Sequence, residues 1–313
     1  MQPQITQRWQ FSASVLLPVV LTLVITAAAV CGFVFWSTAD IDERALARQT
    51  AMVEHVISAR RERMVAEQKS VAIWDDAVIN TKLMFNKTWV NEKIGRWLYS
   101  FFGHDSIVVL NAADKPIYMM EAGQEVPLGS FSDMEAATAP LIEQLRRSMA
   151  EGGMQAYNAG RASAPPSIAE FMVLGDVPAI VGVTPIVSST RALSQPAGSE
   201  TLLLDILLLD EGLAQGLEAE YLFEDATFSI DRASNANRAV YPLLNSKGRF
   251  VAFFEWTRDR PGLTMLRHTG LQWPPLSPLP GFWSSFCSHS SGDLRPPWRL
   301  AGREPNMKQP TIS

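Results

Sequence analysis

Three hydrophobic patterns succeed one another along the chain. The first is continuous: Phe11–Trp36 (FSASVLLPVVLTLVITAAAVCGFVFW) is almost wholly apolar, and no charge falls between Arg8 and Asp40. A helix of that length rises about 39 Å, enough to cross a hydrocarbon layer of about 30 Å with some tilt. Trp9 and Trp36 fall near the two interfaces, and Pro18 kinks such a helix without barring its insertion. The second pattern is helical. Residues 40–94 contain neither glycine nor proline, and helix formers such as Ala45–Gln49 and Arg60–Met64 dominate. Unbroken, that stretch would reach about 80 Å, so a break near Asn80–Asn86 is expected. Ile57, Met64, Val71, Val78 and Phe85 recur every seven residues, with Val53 and Trp74 flanking them. This stripe packs on its own domain in one reading. In the other it pairs with a second subunit, giving a homodimer through residues 41–78.

The third pattern is a set of short elements. Asn86 can cap a helix over residues 87–99 that stops at Gly103. Ser106–Leu110 and Ile117–Met120, around Asn-Ala-Ala-Asp-Lys-Pro, read as a hairpin, and Asp133–Ala150 as a helix stopped by Glu151-Gly152-Gly153. Strands are expected at Glu170–Leu174, Ala179–Val183, Leu202–Leu209 (LLLDILLL) and Thr227–Ile230, with a helix over Asp210–Leu222 and a last hairpin from Tyr241–Leu244 to Arg249–Trp256. Together these predict an α+β domain: a long signalling helix, then one antiparallel sheet with flanking helices.

The organisation is therefore a cytoplasmic N-terminus and membrane anchor over residues 1–39, an extracytoplasmic domain over 40–266, and a tail over 267–313. A cleaved signal peptide fits poorly, because its apolar core should be about 7–15 residues after a basic start. A lipoprotein signal on Cys31 fails because Val30 stands where a small residue is needed. Arg8 before the span and Asp40-Ile41-Asp42-Glu43 after it place the N-terminus inside by the positive-inside rule. A single pass through a bacterial inner membrane follows, with the domain periplasmic or extracellular. Residues 271–313 hold eight of the twenty prolines, seven serines and three tryptophans. They read as disordered, and the abrupt change suggests an out-of-frame or truncated end.

Charge narrows the partners. Residues 40–266 carry 30 acidic and 21 basic side chains, a formal net charge of −9, which argues against nucleic acid. No disulfide is available there, since the two cysteines lie in the span and the tail. G-x-S-x-G, H-E-x-x-H and P-loop signatures are absent, so no enzyme, metal or cofactor is expected. His104-Asp105, beside Gly103, reads as the structural entry to the first strand.

The densest local signal is Trp74-Asp75-Asp76, followed by Asn80, Trp89 and Asn91. Asp76 and Asn80 share a helix face, whereas adjacent carboxylates diverge by about 100° and cannot enter one site together. Solvated charges, a latch onto the sheet and ligand contact all remain open for these residues. They are candidates for ligand binding or coupling.

A resemblance adds to this reading. Ala72–Val78 (AIWDDAV), Trp89 followed by Asn91, Gly103-His104-Asp105, the Val-Val-Leu-Asn hairpin and Phe254–Gly262 (FEWTRDRPG) together resemble the type-four CHASE sensory domain. The resemblance covers roughly residues 40–266. It implies an extracytoplasmic input module, Cache- or PAS-like in fold, ahead of GGDEF and EAL domains that act on cyclic di-GMP, or of a histidine kinase. Such domains are commonly followed by a second membrane helix, here expected near Leu263, where the proline-rich tail stands instead. Neither output signature occurs, so the reading is the sensor of a truncated receptor for an unidentified small molecule. The alternative is a membrane-tethered dimerisation protein with no small ligand.

Overall fold

A computed structural model of the chain describes residues 5–193, 195–232, 235 and 237–270. The chain divides into two units, Met1–His268 and Thr269–Ser313. The expected disordered tail lies, beyond Gly270, outside the described residues.

Helix α1 runs unbroken from Ile5 to Ala72. Its apolar side chains from Leu16 to Trp36 face outward, and the Thr22 and Thr26 hydroxyls donate to carbonyls one turn back, 2.7 and 2.8 Å away. Such internal satisfaction suits an apolar solvent. Past the span, Val53, Val56, Ile57, Met64 and Val71 turn into the domain. The seven-residue stripe is buried by its own chain as far as Val78, and Phe85 alone of its members is exposed. The pairing surface of any dimer through residues 41–78 is therefore a different face of α1.

The first break comes at Ile73-Trp74, earlier than the sequence suggested. Trp74 is extended (φ −155°, ψ 135°), and Ile73 bridges Val187 in parallel. Val187 N–H donates to Ala72 O and Trp74 N–H to Val187 O, both at 3.0 Å. A distant segment supplies these partners, so the helix can stop where no glycine or proline stops it. Next come α2 (Asp75–Val78), a π-helical turn (Ile79–Leu83) and a second interruption at Met84–Asn86. Then follow α3 (Lys87–Val90), another π turn (Asn91–Gly95) and α4 (Arg96–Phe102). Asn86 Oδ1 caps α3 by accepting from Trp89 N–H at 3.1 Å, and Gly103 closes α4 at φ 72°.

The remaining elements are β1 (Ser106–Leu110), β2 (Pro116–Glu121), β3 (Gln124–Glu125), α5 (Ser132–Ser148), α6 (Met154–Asn158), β4 (Ile168–Leu174), β5 (Val177–Pro185), β6 (Leu202–Leu208), α7 (Glu211–Tyr221), β7 (Thr227–Ser229), β8 (Arg238–Leu244), β9 (Phe250–Thr257) and α8 (Pro261–Gly270). The fold is α+β, as expected, but its strands form two antiparallel sheets rather than one. A six-stranded sheet has the order β3-β2-β1-β6-β5-β4, and a three-stranded sheet the order β7-β9-β8. The final hairpin does not extend the large sheet, because Ala252, Phe254 and Trp256 bury themselves with Val53, Val56, Ile57 and the α7 residues Ala214 and Leu217.

Central strand β6 shows how the large sheet is sandwiched. Leu202, Leu204 and Ile206 pack with Leu141, Leu145 and Met149 on one face. Leu203 packs with Val71, Val78, Ile94 and Leu98 on the other, and Leu207 joins the α1 core. Strand alternation then turns Asp205 toward α1.

At the start of the domain, Trp256 Nε1–H and Asp259 N–H both donate to Gln49 Oε1, at 3.1 and 3.4 Å. Gly262 N–H, in the first turn of α8, donates to Asp42 Oδ1 at 2.7 Å. A Cβ on Gly262 would collide with the Thr38 carbonyl, so only glycine fits this approach to α1.

Candidate functional site

The chain between β5 and β6 (residues 186–201, Ser194 excepted) leaves the sheet and returns to it, with Ile186 N–H closing its base on Thr201 O at 2.8 Å. Its first part grips the end of α1. Besides the Ile73–Val187 bridge, Asp75 Oδ1 accepts from Ser188 Oγ at 2.6 Å and from Thr190 N–H at 3.3 Å, while Oδ2 accepts from Thr190 Oγ1 at 2.5 Å. The Ser188 bond first, then those of Thr190, hold the Asp75 carboxyl below the usual range. These bonds are those of a latch, onto the β5–β6 connection rather than onto the sheet itself.

The other candidates divide. Asp76 is exposed, and its backbone carbonyl accepts from Asn80 Nδ2–H at 2.8 Å. Trp74 and Trp89 pack ring on ring, 5.4 Å between centroids. Asn91 Oδ1 accepts from the Tyr118 hydroxyl at 2.9 Å, tying the π turn to β2. Trp74, Asp75 and Trp89 therefore share one clasp, whereas Asp76, Asn80 and Asn91 serve their own helices or the sheet.

The last part of the same connection lines a cavity of about 600 Å³. Gln195, Ala197, Gly198 and Glu200 form one wall, and the α5–α6 region, with Arg146, Met149, Met154, Gln155, Asn158 and Ala159 among its residues, forms the rest. The turn from α5 to α6 opens it: Gly152 sits at φ 111°, and a Cβ on Gly153 would strike Pro166 and the Ser148 carbonyl. Lys82, from the first π turn, donates to Gln195 Oε1 at 3.1 Å and Ser199 Oγ at 2.5 Å, fixing the cavity wall to the clasp. Burial lowers the Lys82 ammonium and the Arg146 charge adds to this, with Glu200 opposing both. Behind the cavity, Tyr157 of α6 donates from its hydroxyl to Ser188 O at 2.9 Å, and Arg191 lies over its ring. Cavity and clasp share backbone and side chains.

A third cluster was not legible in the sequence as a site. His104 is fully buried, its Nδ1 3.0 Å from Asp205 Oδ2 and its Nε2 3.0 Å from Glu67 Oε2. Two carboxylates on two ring nitrogens call for a doubly protonated imidazolium. Burial alone would lower the His104 pKa, but the bonds and charges of Asp205 and Glu67 push it up to about 9. Burial likewise works to raise Glu67; the His104 bond and the Arg60 charge overcome it and hold that carboxyl down. Arg60 completes the chain, donating from Nη1 to Glu67 at 3.1 Å and from Nη2 to Phe102 O at 3.1 Å. The signal available was the lone acid in LLLDILLL, since a carboxylate inside an apolar strand requires a buried partner.

Among the described residues, no group of three or more His, Cys, Asp or Glu side chains is placed to hold a metal ion. A cavity coupled by polar contacts to the end of a helix that continues into a membrane-length apolar segment defines a class: sensory input modules. The family model for the CHASE4 domain matches residues 56–229, more than half the chain, and the chain belongs to this family of extracellular, non-catalytic sensory domains. No curated protein matches the chain.

Proposed function

We propose that the chain is the ligand-binding input domain of a bacterial membrane receptor, anchored by residues 11–36 with its N-terminus in the cytoplasm and its domain in the periplasm. The cavity between α6 and the β5–β6 connection takes a small molecule, and occupancy biases the clasp on the end of α1. One observation carries this: a single connection lines the cavity at Gln195–Glu200 and grips α1 at Val187–Thr190. A ligand that holds one part of so short a segment in place shifts the population of arrangements open to the other. The family resemblance supports an output acting on cyclic di-GMP in the parent system. Dimers form through a face of α1 other than the buried stripe.

The test is a thermal-shift screen of the full chain in nanodiscs against small metabolites, repeated on the cavity-plugging variant Ala159→Trp. A compound present at 100 times its Kd stabilises the folded state by about 2.7 kcal/mol. Hits that vanish in the plugged variant support the cavity. Hits that persist undiminished in it refute the cavity as the site. A complete absence of hits, with α1-dependent dimers still forming, favours the alternative of an interaction protein without a small ligand.

A further inference from the structure

Glu200 is the one cavity residue whose charged group is left uncovered. The residue is 1% exposed, and its Oε2 has no hydrogen-bond partner. Two cations lie near it, and neither gives its carboxylate a hydrogen bond. Arg146 donates from Nε and Nη2 to Asp114 Oδ1 and from Nη2 to Asn111 O, and its Nη1 reaches only the backbone carbonyl of Glu200. Lys82 donates to Gln195 and Ser199 and meets Glu200 only as a charge at longer range, with no ion pair between the two among the described residues. A carboxylate taken out of water without a paired cation or a donor costs several kcal/mol, and proteins tolerate this where something else supplies the missing partner. The rest of the lining gives the partner's shape. Met149, Met154, Ala159 and Ala197 are apolar and offer contact area to a hydrocarbon or aromatic body.

We infer that the ligand of this cavity is an organic amine, its ammonium paired with Glu200 and its apolar body lying on the methionine and alanine wall. The inference rests on the cavity being the sensory site. An ammonium supplies hydrogen bond and charge together, which an alcohol or amide cannot do. Neutral isosteres of the ligand therefore bind much more weakly, and organic anions are excluded.

The experiment uses the full chain in nanodiscs, with 2-phenylethylamine and tryptamine as probes, their neutral counterparts 2-phenylethanol and tryptophol, and phenylacetate as the anion. The amines are expected to raise Tm and to bind by calorimetry. Glu200→Gln is expected to weaken them by at least about thirtyfold, the loss seen when one partner of a buried charge pair is removed. The ligand-free Glu200→Gln protein is expected to keep or raise its Tm, because the substitution removes an unpaired charge. A lower Tm would show that Glu200 is a structural group and would overturn the assignment. Amine affinity unchanged in Glu200→Gln, or alcohols or phenylacetate binding as tightly as the amines, would overturn the ligand class while leaving the cavity standing as the site. Amines that bind wild type and Ala159→Trp equally would overturn the cavity itself. Binding of neither amine overturns the amine assignment, and the cavity then stands or falls by the metabolite screen.

Discussion

His104 holds α1 to the sheet by charge as well as by packing. Its pKa is raised from 6.5 to about 9 in the folded protein, so the stability it contributes is complete below pH 6.5 and is lost as pH climbs through about 9. Glu67 is shifted the other way, so its contribution is present above pH 4.5 and lost as pH falls through its depressed folded value. Thermal melts across pH should show an alkaline decline that sets in above pH 6.5. His104→Ala should abolish that decline and lower stability by about 3–5 kcal/mol, since it leaves buried Asp205 without its cation while Glu67 keeps Arg60. An alkaline limb surviving in His104→Ala would assign it to another group. The paired aspartates make a sharper contrast. Asp75→Ala removes the bonds to Ser188 and Thr190 and should lower Tm, whereas Asp76→Ala, whose side chain is exposed, should leave Tm unchanged. Equal effects in calorimetry would contradict the latch.

Elements fixed by neighbouring residues were legible before the structure was. The Asn86 cap, the Gly103 stop, the β1–β2 hairpin and LLLDILLL each follow from chemistry within a few positions. What could not be read is set by topology. The α1 break at Ile73 depends on Val187, and Asp205 meets His104 because β1 and β6 pair with Ile107 opposite Asp205. The second sheet escaped notice because alternation shows that β8 and β9 are strands and is silent on which layer they join. The junction of α8 with α1 has the same long-range character. Gly262→Ala should push α8 off Thr38, overpacking that should cost about 1–3 kcal/mol. Urea unfolding of the full chain would measure this, and a wild-type midpoint would remove Gly262 as the point of close contact.

At the scale of the molecule, both ends of the folded domain meet α1. Gln49 and Asp42 take hydrogen bonds from the close of the domain, and the clasp takes the far end of the helix. The cores pack against one face of α1 from Ala45 to Val71, which leaves the opposite face, with Ala47, Ala51 and His55, exposed. The orientation proposed above has a direct check. Alkaline phosphatase fused after Arg260 should be active and a fluorescent reporter at the N-terminus should glow; the reverse pattern would invert the topology.

The continuity of α1 has a mechanical consequence. From Trp36 to Ala72 it is one helix with no interruption, about 54 Å of nearly incompressible rod. Nothing in it can absorb a displacement as a flexible linker would. In the proposed mechanism, a slide of one ångström at the clasp would therefore arrive as a slide of about one ångström at the membrane surface, and a twist as a twist. Under the function proposed above, α1 would act as a pushrod with a gain close to one.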